Sequence, residues 1–599
     1  MAKAEAECRR ILDAEPGNAE ANHLLGVILF RSGRRDEALS SLRRAIALNP
    51  QFARAYSDLA AVLGSRGKHD KALVCAQEAV RLDANSTNAQ NNLGVTLERW
   101  GRLEEAAAAY RAAIASNKTW AVPYNNLGNA LRKTGRLREA VAAHEQALAL
   151  KPYIEAYNNL AATLAEQGEQ EKVIECHRRA VALAPSSAAT HSDLIYSMLA
   201  SPRVTPGQIY QESLDWANRH ADTLGAVTFS NGPDPQRRLR VGYVSPDFRD
   251  HPVARFIEPV LREHDRSSFD VFCYSAVTGA DRSTERLRSL ADSWRDIARV
   301  SDSAAADLIR SDNIDILVDL AGHTAGNRLL VFARRPVPVQ VSYLGYPATT
   351  GMKAIGYRIT DHWADPPGNE ALYSEELVRL PDCAWCYQPP PAGPKVGPLP
   401  ALTRGHVTFA ALHRQHKITP EFIELWSRIL AAFPDSRLLV AARALDASDT
   451  SIIERYTQRG IDRSRIEIVA ARDHPRYLNA LNGADLALDA FPYNGTTTTC
   501  DALWMGLPVV TLAGKAHVSR TGASLLSAVG LQNLVATNES EYFGLATALA
   551  ADPDRLNRLR SDLRDRMARS PLTNARNLTR AVEHLYRTAW AQWCGNAAV

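Results

Sequence analysis

From residue 17 to about residue 200, apolar and small positions return every 34 residues. A Leu-Gly-like pair puts Gly26, Ala60, Gly94, Gly128 and Ala161 in register, and turn glycines follow at Gly33, Gly67, Gly101, Gly135 and Gly168. Small residues of a second helix keep step as Ala38, Ala72, Ala106, Ala140 and Val173, then Ala45, Ala79, Ala113, Ala147 and Ala180, with prolines near repeat ends at Pro16, Pro50, Pro152 and Pro185. One 33-residue repeat before Ala161 leaves the pattern intact. The spacing predicts stacked helix pairs, each too small to bury its apolar face alone. A half-repeat over residues 3–15 leads them, and a helix around Ala188–Ala200 trails.

Past residue 237 the period changes. Short apolar runs at Leu239–Val244, Val271–Tyr274, Ile314–Leu320, Val339–Leu344 and Tyr357–Thr360 alternate with helical stretches such as Asp281–Arg299. A second set runs His406–Leu412, Arg437–Ala442, Ile466–Ala470, Asp485–Ala490 and Pro508–Leu512. Strands alternating with helices predict parallel sheets covered on both faces.

The 34-residue helix-turn-helix period is that of the tetratricopeptide repeat. The predicted architecture is an all-α superhelix over 1–200 and a helical linker over 201–236. Two Rossmann-like domains follow over 237–388 and 405–575, joined by a linker over 389–404, and a final helix spans 576–599. Six prolines between Pro389 and Pro400 exclude helix or central strand from that linker. Two such sheets leave a cleft between the carboxyl ends of their strands. The last helix, from Asn574 to Trp593, is long enough to fold back over the first of them. On the concave wall of the repeats, the position before the Leu-Gly pair reads Leu24, Asp58, Asn92, Asn126, Asn159 and Asp193. Asn92, Asn126 and Asn159 offer amide donors and acceptors suited to the backbone of an extended peptide. Plain solvent-facing polarity is the other reading.

A composition of 46% apolar and 23% charged residues fits a soluble globular chain of about four domain-sized units. The net charge of +4 gives no reason to expect nucleic acid or an anionic membrane surface as partner. The first residues lack the apolar core of a signal peptide and no run is long enough to span a membrane, so a cytoplasmic location is expected. Eight scattered cysteines suit a reducing compartment, and Cys383 with Cys386 is a lone pair lacking the partners of a zinc site.

Chemistry concentrates at strand ends. The stretch FPYNGTTTTCDALWMG, Phe491–Gly506, reads as a hydroxyl-rich turn entering a helix. The hydroxyls of Thr496 to Thr499 and the free N–H groups of the first turn would meet where the helix dipole is positive, an anion site. An N-cap turn with spare threonines is the plainer alternative. His251 follows the strand Leu239–Val244 as a candidate base. His323, Thr324, Tyr346 and Pro347 lie on loops assigned to the same edge. Lys417, with Arg414 and His416, follows His406–Leu412 and is a candidate for holding a diphosphate, or a solvated lysine. Asp501 is placed like a carboxylate that binds a ribose hydroxyl, though helix capping also explains it. No Walker loop, no GxGxxG after a strand and no HExxH occurs, and the single Asp-x-Asp, Asp552 and Asp554, does not follow a strand. No metal or other cofactor is expected; lysine and helix dipole would neutralise a diphosphate.

The ordered segments RVGYVSPDFRDHPVARF, DILVDLAGHTAGNR, PVPVQVSYLGYPATTG, YRITDHWADPP, HKITPEF, FPYNGTTTTCDALWMGLPVVTLAG and SRTGASLL closely resemble the SPINDLY and O-linked N-acetylglucosamine transferase family, from the repeats to about Trp593. The resemblance implies a GT-B glycosyltransferase that moves N-acetylglucosamine from UDP-GlcNAc to Ser or Thr hydroxyls of proteins in the repeat groove. It matches His251 to the proposed base, Lys417 to the diphosphate lysine, Thr497 and Thr498 to phosphate contacts, and Asp501 to the ribose carboxylate. Base contacts fall near Arg472 to Tyr477, which brings in Arg472 and His474. Arg414 and Thr496 replace a glutamine and a histidine of the animal enzymes. GYPATTG and GTTTTCD look more like the plant SPINDLY branch, which includes protein O-fucosyltransferases using GDP-fucose. A nucleotide-binding repeat scaffold without transferase activity is the other class of reading.

Overall fold

The computed structural model describes residues 1–222, 228–390, 393–442, 451–471 and 473–597. Contacts divide the chain into two compact units, Met1–Gln167 and Gly168–Val599.

The first unit is a run of antiparallel helix pairs: Ala19–Arg31 with Arg35–Leu48, Ala53–Gly64 with His69–Leu82, Thr87–Arg99 with Leu103–Ser116, and Ala121–Lys133 with Leu137–Leu150. The helix Ala2–Ala14 precedes them and Ile154–Gln167 closes the unit. Helices of a pair touch where one lacks a side chain. A Cβ on Gly94 would lie 2.5 Å from the Tyr110 ring, whose hydroxyl donates to Glu98 at 2.7 Å. Within each pair a turn glycine, Gly33, Gly67, Gly101 or Gly135, joins the two helices with φ between +71° and +82°, a conformation that a Cβ disfavours.

In the second unit the first sheet contains β1 (Leu239–Ser245), β2 (Phe269–Ser275), β3 (Ser293–Asp296), β4 (Ile316–Asp319), β5 (Val339–Ser342), β6 (Tyr357–Asp361) and β7 (Glu376–Leu380). Its order is β3-β2-β1-β4-β5-β6-β7 and every pairing is parallel. The second contains β8 (Thr408–Ala411), β9 (Arg437–Ala442), β10 (Ile466–Ala470), β11 (Leu486–Leu488), β12 (Val509–Leu512) and β13 (Val535–Ala536). Its order is β10-β9-β8-β11-β12-β13, again parallel. The chain reverses its winding between β1 and β4 and between β8 and β11. At such switch points neighbouring loops leave in opposite directions and open a crevice at the strand ends.

Alternating side chains of the first sheet go to opposite layers. Val241, Tyr243, Ile316 and Val318 face the helix Pro252–Glu263 and the final helix Ala575–Ala597, which buries Val582, Tyr586 and Trp590 there. Val244, Tyr274 and Leu317 face Ile195, Met198 and Trp216 on the helices Ala188–Met198 and Pro206–His220. These two helices therefore roof a sheet, and the compact unit begins at Gly168, ahead of the boundary near residue 200 suggested by the repeat pattern. The segment read as a linker holds a capped helix with Ile209, Trp216 and Ala217 buried.

Three strands escape the sequence pattern. Within Asp281–Arg299 the helix stops at Arg288 and β3 follows, with the polar sequence SWRD half-buried; β7 and the two-residue β13 are likewise edge strands. An edge strand buries less of itself and carries a weaker apolar signal. Cys383 and Cys386, just past β7, are buried free thiols, and burial pushes Cys386 up to about 12. No helix among the described residues is long and apolar enough to cross a membrane.

Overpacking the closest helix contact tests the repeat geometry. Gly94→Val is expected to cost the first unit about 1–3 kcal/mol, read as a lowered urea midpoint at unchanged m-value.

Candidate active site

The loops leaving β1, β8 and β11 build the site. After β1 the chain turns on Ser245, whose hydroxyl accepts from the Asp247 N–H at 2.9 Å, and reaches His251. His251 is the N-cap of the helix Pro252–Glu263, with Pro252 in the first turn where a missing N–H costs nothing. Its Nδ1 accepts weakly from the Val253 N–H at 3.4 Å and lies 3.5 Å from Asp247 Oδ1. Burial, with Arg249 and Arg414 adding to it, lowers its pKa to about 4, and burial raises Asp247 to about 6. His251 is therefore neutral at pH 7, with 34% of its side chain exposed. Arg414 belongs to the second sheet's domain, so the two domains share the field at this imidazole.

After β8 comes His413, buried, with Nε2 accepting from the Ala490 N–H at 3.2 Å and 3.1 Å from Asp489 Oδ1. The 3-10 turn Gln415–Lys417 follows, and Thr419 caps the next helix. Arg414 is exposed at the head of this turn. The Lys417 ammonium stands 3.7 Å from the centroid of the Tyr493 ring. Among the described residues no carboxylate forms an ion pair with it. Burial lowers its pKa to about 7; Asp489 resists the shift and Arg414 adds to it.

Asp489, at the end of β11, organises the threonine turn. Its carboxylate accepts from the Gly495 N–H at 2.8 Å and from the Thr511 hydroxyl at 2.6 Å. Asn494 is tied to the Ala490 carbonyl at 2.9 Å and receives the Gly522 N–H at 3.2 Å. A Cβ on Gly495 would lie 2.4 Å from Thr498 Oγ1, so only glycine lets the turn close. Thr496 heads the helix Thr497–Trp504 with no side-chain cap bond, Thr499 bonds back to the Gly495 carbonyl at 3.0 Å, and Thr498 Oγ1 is buried without a partner. Uncapped N–H groups, an unspent hydroxyl and an unpaired ammonium around one turn form an electropositive site for an anion.

Beside it, Asp501 is 2% exposed. It accepts from Tyr387 Oη at 2.5 Å, and both its oxygens lie 3.1 Å from His474 Nε2. Arg255, one turn beyond His251, reaches His474 Nε2 at 3.0 Å. His474 stacks on Tyr477 at 6.3 Å between centroids. Asp501 thus orients His474 from below and ties the domains together through Arg255 and Tyr387. Arg472 lies outside the described residues.

Not every expected residue reaches the crevice. His323 is fully buried: Nδ1 meets Ser192 Oγ at 3.0 Å, Nε2 meets the Thr350 carbonyl at 3.0 Å, and burial lowers its pKa to about 3. It pins the helix Ala188–Met198 to the sheet because that helix occupies the space read as open cleft. Tyr346 packs against it, also buried; Thr324 bonds back to Ala321, and half-buried Pro347 lies with Leu199, Ile209 and Val518. In the first unit Asn92, Asn126 and Asn159 each donate to the preceding repeat, at Ser57, Asn91 and Asn125, over 2.7, 3.0 and 3.0 Å. The ladder is a strut between repeats with one amide hydrogen per rung left over. Sequence reading missed Asp489, His413, Tyr493, Arg255 and Tyr387. Asp489 closes an apolar run, and Arg255 lies four residues past His251 on one helix face.

A protein-family model described as glycosyl transferase family 41 matches residues 223–386 and 400–582, more than half of the chain. The chain belongs to glycosyl transferase family 41. Tetratricopeptide repeat models match residues 1–63, 57–119 and 121–186 of this family 41 member. It is similar to the probable UDP-N-acetylglucosamine–peptide N-acetylglucosaminyltransferase SPINDLY of Petunia hybrida, 43% identical over 398 residues, covering 65% of this chain and 42% of the relative. The corresponding SEC protein of Arabidopsis thaliana is 32% identical over 371 residues, 60% of this chain and 38% of the relative. The chain thus spans less than half the length of these curated relatives. A solved O-GlcNAc transferase mutant from Thermobaculum terrenum superposes with a TM-score of 0.74 at 35% identity, covering 91% of this chain and 98% of that one. That likeness extends the GT-B comparison across both sheet domains and much of the repeat array.

Removing the Asp489 carboxylate leaves the Gly495 N–H and the Thr511 hydroxyl without their acceptor. Asp489→Ala is expected to cost about 2–4 kcal/mol in chemical denaturation.

Proposed function

We propose that this family 41 member is an inverting transferase that moves N-acetylglucosamine from UDP-GlcNAc to Ser or Thr hydroxyls of proteins presented by the repeats. The observation that carries this reading is the anion site formed by Lys417, the uncapped helix Thr497–Trp504 and the unspent Thr498 hydroxyl, in a cleft that also receives His251. The acceptor oxygen attacks the anomeric carbon as the bond to the diphosphate breaks, and the electron pair leaves with the nucleoside diphosphate. Lys417, the helix N-terminus and Thr498 hold that growing charge. His251 takes or steers the hydroxyl proton. Its pKa of about 4 in the free site reflects burial and three arginines, Arg249, Arg414 and Arg255; a bound diphosphate offsets the arginines and makes the imidazole a stronger base.

No metal is required on this reading, because the cations are side chains already in place. On this reading His474 and Asp501, with the exposed Arg414, receive the nucleoside that extends from the diphosphate. The spare amide hydrogens of Asn92, Asn126 and Asn159 serve an extended acceptor backbone. Eight scattered cysteines, none of them in a disulfide, suit a reducing, cytoplasmic setting.

A second donor, GDP-fucose, is favoured by Arg414 and Thr496 in the nucleotide and sugar pocket. Thermal unfolding with UDP, UDP-GlcNAc, GDP and GDP-fucose at equal concentration separates the two. A ligand at about 100 times its dissociation constant adds roughly 2.7 kcal/mol. Stabilisation by the uridine pair supports the first reading and by the guanosine pair the second; a non-catalytic scaffold releases no nucleoside diphosphate above background.

Lys417→Ala is expected to lower transfer by about 10²–10³-fold or more in single-turnover assays, and His251→Ala by about 10²–10⁴-fold. Turnover by Lys417→Ala near the parental rate rejects the diphosphate assignment. Because the free Lys417 side chain has a pKa of about 7, it is largely neutral at pH 8, and an anion that restores its charge draws a proton from solution. Calorimetry of nucleoside diphosphate binding at pH 8, in buffers of different ionisation enthalpy, should show uptake of up to one proton, lost in Lys417→Met.

A further inference from the structure

Lys417 is held by an aromatic face. Its ammonium is 3.7 Å from the Tyr493 centroid, within the range of a strong cation–π contact. Tyr493 is itself fixed from outside the second sheet's domain: Tyr196, on the helix Ala188–Met198, meets it edge to face at 6.4 Å between centroids. The charged and titratable groups around the ammonium are Asp489 from β11, paired with His413, and Arg414 and His416 from its own loop. The lysine stem has four rotatable bonds, and a long side chain free in solution loses up to about 2 kcal/mol of rotamer entropy when a ligand orders it. A ring that pre-orders the ammonium removes part of that cost.

We propose that Tyr493 is a positioning residue for the donor: its ring face holds the Lys417 ammonium at the diphosphate site, and Tyr196 holds the ring. This rests on the transferase reading of the same site. It also makes the helix Ala188–Met198, which roofs the first sheet, a wall of the donor pocket, with Tyr196 one turn beyond Asp193 on it.

The test grades the ring's charge without changing its shape. Tyr493→Phe is made, and then the same position is filled with singly, doubly and triply fluorinated phenylalanine, each fluorine drawing electron density from the ring face. Affinity for the nucleoside diphosphate that stabilises the parent is read by calorimetry, and folding by thermal unfolding. The expected result is affinity within about threefold of the parent for Tyr493→Phe, then a stepwise fall reaching about tenfold in the trifluorinated ring, at unchanged Tm. Tyr196→Ala, which removes the ring that meets Tyr493 edge to face, should weaken binding by a few-fold. A flat series overturns the proposal by showing that the ring only fills space. A rising series overturns it too, since the ring would then compete with the ligand for the ammonium. Failure of the parent to bind any nucleoside diphosphate rejects the transferase reading itself, a different outcome from a parent that binds while the series stays flat.

Discussion

The site depends on a single buried carboxylate. Asp489 sits at the end of β11 with no solvent to stabilise its charge, so its oxygens must be met by protein groups. The Gly495 N–H and the Thr511 hydroxyl do so, which fixes the turn ahead of the threonines and joins it to β12. His413 closes in from β8, so the two strands flanking the switch point are locked across their ends. The same charge partly offsets the burial of Lys417. With that carboxylate in place, the remaining positive charge around the turn has no counter-ion in the described protein, and the pocket is complementary to an anion that arrives from outside.

Across the cleft the first domain provides a complementary half. One helix, Pro252–Glu263, carries His251 at its cap and Arg255 one turn later, so imidazole and guanidinium reach the crevice from a rigid rod whose other face is built into the sheet core. Arg255 meets His474, and Tyr387 meets Asp501, bridging the two sheets beside the site. Farther along the interface His517 reaches Asp365 at 2.7 Å and Ser524 reaches Asp361 at 2.6 Å, both buried. These contacts set the spacing between the base and the anion turn.

The repeat period and the central strands were readable because each rests on burial, which leaves a regular imprint on residue type. Edge strands β3 and β7 left little imprint because half of each faces water. His251, Lys417 and the threonine turn could be placed on loops at strand ends because strand ends follow apolar runs. What those loops meet was not readable. His323 stands at a strand end like His251, yet the helix carrying Ser192 covers it, a contact between residues 131 positions apart. The asparagine ladder was visible as a column, but the adjoining column of Ser57, Asn91 and Asn125, which spends its amides, recurs one position away and reads as ordinary helix polarity. Tyr493 carried no signal in the sequence because its two partners, Lys417 and Tyr196, come from distant segments.

The final helix returns to the first sheet, so the chain passes between the two sheet domains twice, once after β7 and once near Leu572. The two passages run side by side, joined by the Tyr387 N–H and the Leu572 carbonyl at 2.7 Å. Two tethers stitched together at one place leave the domains little freedom to slide or separate there. Any opening of the cleft is then a hinged swing with its axis beside Tyr387. Because Tyr387 also holds Asp501, the pivot and the wall of the pocket share a side chain, and the residues nearest the axis travel least while the mouth of the cleft travels most.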